Sequence, residues 1–170
     1  MSASTKIEVV VKDACIFFDL IDLRLLSIFY QLPITVITTP QVMAEIIDET
    51  QLIEVNFYIE SGQLQIDQFG QYDTIGVILD SNARLSFTDA SILETALRRN
   101  ATVLSSDNSL RKESRRQGLK VHGLLWVLEE LYNQNFIELE LLITKLEEYS
   151  KINVWAPKAE IAILIKKYKT

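Results

Sequence analysis

IEVVVKDACIFFDL, the stretch from Ile7 to Leu20, decides the fold class. Its opening IEVVV is apolar and β-branched, the composition of a strand covered on both faces, and such strands belong to parallel sheets with helices above and below. A strand of that kind is expected at the centre of its sheet. Beyond it, apolar residues at 20, 21, 23, 25, 26, 28 and 29 predict a helix over 19–32, stopped by Pro33.

The rest of the chain repeats this alternation. ITVIT (Ile34 to Thr38) predicts a second strand, and Thr39 before Pro40 predicts a helix start, since Thr accepts from an early amide and Pro has none to leave unsatisfied. Residues 51–60 continue as helix until Ser61 and Gly62, and LQIDQF (64–69) predicts a short strand. A helix over 71–82 leads to LSFTDASILETALRRN, with Thr88 as expected cap and an end near Asn100. ATVLS (101–105) and LKVHG (119–123) predict two more strands around a basic helix over 108–117, closed at Gly118. After Gly123 only helical spacing remains, over 124–134, 136–150 and 157–168. The pattern predicts a three-layer α/β/α sandwich with a mainly parallel sheet of four to five strands. Residues 1–135 are expected to form that domain, with 136–170 a helical extension packed on it that offers a homodimer or partner surface.

Composition narrows the function. A chain of 170 residues suits one domain with a full core. No apolar run approaches the roughly 20 residues that cross a bilayer, so no membrane association is expected. MSASTKIEVV lacks the apolar core of a secretory signal, and the single cysteine excludes an internal disulfide, so a reducing cytoplasm is expected. With one Cys and one His a zinc centre is excluded. The net charge of −6 argues against nonspecific nucleic-acid binding. Against that balance, RKESRRQ gathers Arg111, Lys112, Arg115 and Arg116 on one helix.

Four acids stand at informative places. Asp13 follows the first strand, Glu45 lies a turn into the helix that begins at Pro40, Asp89 stands at the start of the helix that ends near Asn100, and Asp107 lies just past the fourth strand. In a parallel sheet the carboxyl ends of all strands share one edge, so acids distant in sequence converge there, and convergent carboxylates make a divalent-cation site. Each acid also has a plain structural role. Asp13 suits a turn, Glu45 a solvated face with Asp48 and Glu49 nearby, Asp89 a first helical turn, and Asp107 an N-cap. Those separate roles do not explain why all four stand at strand mouths.

The spellings VVVKDAC, PQVMAEI, LSFTDASILETA and TVLSSDNSL, taken in order, resemble the PIN-domain family of metal-dependent ribonucleases, from about Ile7 to Leu131. The resemblance implies Mg2+ or Mn2+ held by Asp13, Asp89 and Asp107, with Glu45 as a further ligand or supporting acid, and hydrolysis of RNA phosphodiester bonds. It also implies a hydroxyl, here Ser105, beside the scissile phosphate, with Arg111, Lys112 and Arg115 as candidate substrate contacts. Many members of the family are toxins restrained by a small antitoxin protein. Cys15 departs from the family's Ser, Thr or Asn, and its expected role is a buried apolar filler. The alternative is a PIN-like module that binds RNA or a protein without turnover. An Asp-phosphorylated domain fits poorly, since Cys15 stands where a dehalogenase has its second Asp, and no Gly-rich turn supports a dinucleotide site.

Overall fold

A computed structural model describes residues 7–11 and 14–170 of the chain. Among them β1 (Ile7–Val11), β2 (Ile34–Thr38), β3 (Leu64–Ile66), β4 (Thr102–Leu104) and β5 (Val121–His122) form one sheet in the order β3-β2-β1-β4-β5. Every pairing is parallel, with Val9 opposite both Val36 and Thr102, so β1 is central as its composition predicts.

Parallel neighbours need crossover helices. α1 (Ala14–Asp22) and α2 (Leu26–Phe29) join β1 to β2, and α3 (Pro40–Glu45) and α4 (Glu49–Glu60) join β2 to β3. α5 (Tyr72–Ser81) and α6 (Phe87–Arg99) then carry the chain back across β1 to β4, and α7 (Asn108–Arg116) leads to β5. Right-handed crossovers put α1, α2 and α4 on one face of the sheet and α5 to α7 on the other. The packing agrees: α1 meets α2 and α4, while α6 meets α5, α7, β1 and β4. This is the three-layer α/β/α sandwich that the alternation predicts. Its core joins Val9, Val36, Ile37 and Val103 of the sheet to Phe17, Leu20 and Phe29 from one group of helices and Ile75, Ile92 and Leu93 from the other.

α8 (Leu124–Asn133), α9 (Leu139–Ile152) and α10 (Lys158–Lys169) follow, with α8 against α2 and α9 against both α1 and α8. Leu142, Leu146, Tyr149, Ala156 and Ile161 enter the same buried core. No described helix is long and apolar enough to cross a membrane.

Three local expectations change. The helix expected over 19–32 starts at Ala14 and breaks at Leu23 to Leu25, where Arg24 adopts φ +57°. A straight helix apolar around its girth cannot turn every leucine to one sheet, and the break lets Leu20, Leu23, Leu25 and Leu26 all become buried. The left-handed conformation strains a residue with a Cβ, so Arg24→Gly is expected to stabilise the fold by about 0.5–1 kcal/mol. A higher urea midpoint at unchanged slope would show it, and a lower midpoint would refute it. Second, α3 ends at Glu45, and α4 is a separate helix capped by Asp48, which accepts from the Gln51 amide at 2.9 Å. Third, β3 stops at Ile66 because Asp67 turns its carboxylate to the Phe69 amide (3.0 Å) and to a pair of arginines.

Candidate active site at the carboxyl edge of the sheet

Ligands of doubly wound sheets bind beyond the strand carboxyl ends where the strand order reverses. Here β1 leads to β2 on one side while β4 leads to β5 on the other, so the crevice lies beyond β1 and β4. Asp13, two residues past β1 in sequence, lies outside the described residues.

β4 delivers Asp107 through a short, tightly bonded turn. Ser105 is fully buried, donates its amide to the His122 carbonyl (3.0 Å), and accepts the Asp107 amide on Oγ (3.0 Å). Asp107 is the N-cap of α7, with Oδ1 accepting from the Leu110 amide at 2.9 Å. One turn later Arg111 donates Nη1 to the Ser105 carbonyl at 2.7 Å. Ser105 thus shapes the turn that aims Asp107, and its neighbour Ser106 is an exposed residue.

Asp89 is held as firmly. Ser86, rather than the expected Thr88, is the N-cap of α6, and the two residues form a capping box. Asp89 Oδ2 accepts from the Ser86 amide at 2.7 Å, while the Asp89 amide donates to Ser86 Oγ at 3.1 Å. The residue is buried. Two positions on, Ser91 Oγ lies 3.1 Å from Thr39 Oγ1, the side chain that caps α3, so a buried hydroxyl pair ties the helix carrying Asp89 to the helix carrying Glu45. Glu45 is at the far end of α3 and exposed.

Each cap uses one oxygen of Asp89 and one of Asp107. The donors are hard oxygens on orientations fixed by backbone hydrogen bonds, a set that fits Mg2+ or Mn2+ and not a thiophilic metal. Among the described residues no three His, Cys, Asp or Glu side chains group closely enough to hold a metal ion; Asp13 falls outside that set.

The basic residues divide among different tasks. Arg116 binds Glu113 (2.6 Å), and this pairing, with Gln117 and Asn82 donating to the same carboxylate, holds the Glu113 carboxyl down to about 2. Lys112 lines a hollow with Glu113, Arg116, Asn82 and Arg84, whereas Arg111 lines a separate cavity nearer Asp107. Arg115 is exposed. His122 stacks on Trp126 with ring centroids 4.6 Å apart, and burial together with the Arg111 charge pushes its pKa below the usual histidine range. Cys15 is exposed in the first turn of α1, where a buried filler was expected.

Asp67 was not among the candidate residues read from the sequence. It is a buried carboxylate beyond β3, bound by Arg98 Nη2 at 2.7 Å and Arg99 Nη1 at 3.1 Å. Arg98 also holds Glu94, and Arg99 reaches Glu8, each at 2.7 Å. Burial alone would raise the Asp67 pKa, but hydrogen bonds from Arg98, the Phe69 amide and Arg99 hold it below the ordinary value. Asp67 is therefore committed to a guanidinium pair. IDQF carries no local signal of this, because the partners lie 31 and 32 residues downstream.

Among curated proteins no sequence matches the chain. A family model described as a PIN domain matches residues 9–170. That span takes in the whole acid-bearing edge and the C-terminal helices, and the chain belongs to the PIN-domain family, whose members are in general nucleases.

Proposed function

We propose that the protein is a Mg2+- or Mn2+-dependent endoribonuclease acting from the β1/β4 edge. The observation that carries this reading is that Asp89 and Asp107, distant in sequence, are both buried or half-buried carboxylates fixed by helix caps on elements flanking the strand-order reversal. Asp13, Asp89 and Asp107 would hold the metal, and Glu45 would complete the set or orient the attacking water. A divalent cation there polarises the phosphodiester and lowers the pKa of water. The protein's own part is placement: the Ser86 box and the Ser105 turn fix the two carboxylates before substrate arrives, and Arg111 supplies positive charge beside Asp107.

A toxin held in check by an antitoxin protein is the form of this activity that the family resemblance favours, with the cytoplasm as its compartment. In that reading residues 136–170 extend a PIN-like domain of residues 1–135 and supply a dimer or antitoxin surface. The second reading, a PIN-like module that binds RNA or protein without turnover, draws on the net charge of −6 and on Cys15 exposed beside the site.

The test is cleavage of labelled single-stranded RNA in Mn2+ beside an EDTA control. Metal-dependent cutting is expected, and a preparation that cuts equally in EDTA would sink the reading. Thermal unfolding supplies an independent check. A ligand that binds only the folded state stabilises it, so Mn2+ at about a hundredfold over its dissociation constant is expected to raise Tm by roughly 5–10 °C. An unchanged Tm at saturating Mn2+ would count against the metal site.

A further inference from the structure

A cavity of about 400 Å3 opens beside Asp107, lined by its two neighbours Ser106 and Asn108, by Arg111 and Gly123, and by Tyr149 and Trp155 from the C-terminal helices and the loop joining them. Its size falls within the roughly 300–1,000 Å3 of ordinary small-ligand sites.

Arg111 gives the cavity its charge. The side chain is partly buried and spends one donor on the Ser105 carbonyl, and it forms no ion pair among the described residues. Glu160, on the cavity wall, acts on it only at longer range, while burial and the neighbouring Arg115 push the Arg111 pKa down from the usual arginine range. A guanidinium has five donors and stays protonated. Partial desolvation without a counter-ion is unfavourable, so an anion at this position is favoured. The guanidinium also packs closely on the chain: a Cβ at Gly123 would stand 3.0 Å from Arg111 Nη1.

Trp155 gives the cavity a flat aromatic wall. It is 90 % exposed, unusual for the largest apolar side chain. Its loop is nonetheless anchored. The Trp155 amide donates to Asn153 Oδ1 at 2.9 Å, Asn153 Nδ2 donates to both oxygens of Asp19 on α1 at 3.1 Å, and Ala156 is buried. A fixed backbone therefore presents an indole to solvent beside the strand end that leads to Asp107.

A cation for phosphate and a π face within one cavity match a nucleotide. We propose that this cavity binds one nucleotide of single-stranded RNA next to the bond that is cut, its phosphate on Arg111 and its base stacked on Trp155. The single strand follows from the stacking, since a base inside a duplex has no free face to offer. The inference rests on the ribonuclease reading and deepens it. A local site of this kind lets an acidic protein engage RNA without a general basic surface.

The probe is a short oligoadenylate, titrated in EDTA against Trp126→Phe protein, in which Trp155 is the remaining indole. Saturable quenching that weakens with salt is expected. By anisotropy of a labelled oligoadenylate, Trp155→Ala should weaken binding about tenfold, the order of one stacked base, and Trp155→Phe should restore most of it. In cleavage assays Trp155→Ala should raise KM and leave kcat unchanged. Trp155 is exposed on a loop, so a folding defect is not expected; a circular dichroism spectrum matching the parent would confirm it. Normal cleavage by Trp155→Ala with no quenching overturns the nucleotide site and leaves the nuclease reading intact. Quenching by a parent chain that cuts no RNA supports the site and removes the nuclease reading. Quenching by an acidic peptide but not by oligoadenylate overturns the RNA assignment.

Discussion

Asp89→Asn is expected to slow Mn2+-dependent RNA cleavage by more than about a hundredfold, since loss of a group that merely supports a metal ligand already costs 10- to 100-fold. The choice of asparagine matters. Asp89 also closes the capping box with Ser86, and the amide oxygen of Asn can still accept from the Ser86 amide. The metal-free variant should therefore unfold at the parent's temperature or slightly above it, because a charge is removed from an acidic edge. Asp89→Ala would confound the two roles, since it also removes the acceptor that closes the capping box. Initial rates on labelled RNA, with unfolding curves in EDTA, separate them. A rate within tenfold of the parent would remove Asp89 from the active site.

Asp67→Ala should give the largest loss of stability, about 3 kcal/mol by urea unfolding. The carboxylate is fully shielded and accepts from Arg98 and Arg99, so its removal leaves two guanidiniums without their shared counter-ion. The pH dependence follows from its lowered pKa. A carboxyl depressed in the folded state contributes stability that is present above its unfolded pKa of about 3.9 and is lost as pH falls through the lower folded value. The parent should thus lose stability below about pH 4 more steeply than Asp67→Asn does. Equal slopes for the two proteins would show that the arginine pair does not depend on this charge. The same sign holds for Glu113, held down to about 2 by Arg116.

The site was legible where local chemistry dictated it. β1 and β2 announce themselves as apolar β-branched runs, and Thr39–Pro40 marks the start of α3. Asp107 reads as an N-cap and is one, at the carboxyl edge of the sheet. Cys15 was misjudged because a small side chain in an apolar stretch reads as core, whereas the first turn of α1 leaves it exposed. The basic helix was legible as charge but not as function, since one spelling supplies both the Arg116–Glu113 pair and the Arg111 contact with Ser105.

The sequence by itself determined the alternation of strands and helices, the central place of β1 and the order of the acids, because these depend on neighbours a few residues apart and on burial demanded by composition. The tertiary structure alone decided which distant charges pair and which aromatic side chain stands beside Asp107. Asp67 meets Arg98 and Arg99 only when α6 folds back across the sheet, and Trp155 reaches the cavity beside Asp107 only when Asn153 is anchored to Asp19, 134 residues away. Electrostatic pairing acts through space over a few ångströms, and spacing along the chain carries no record of it.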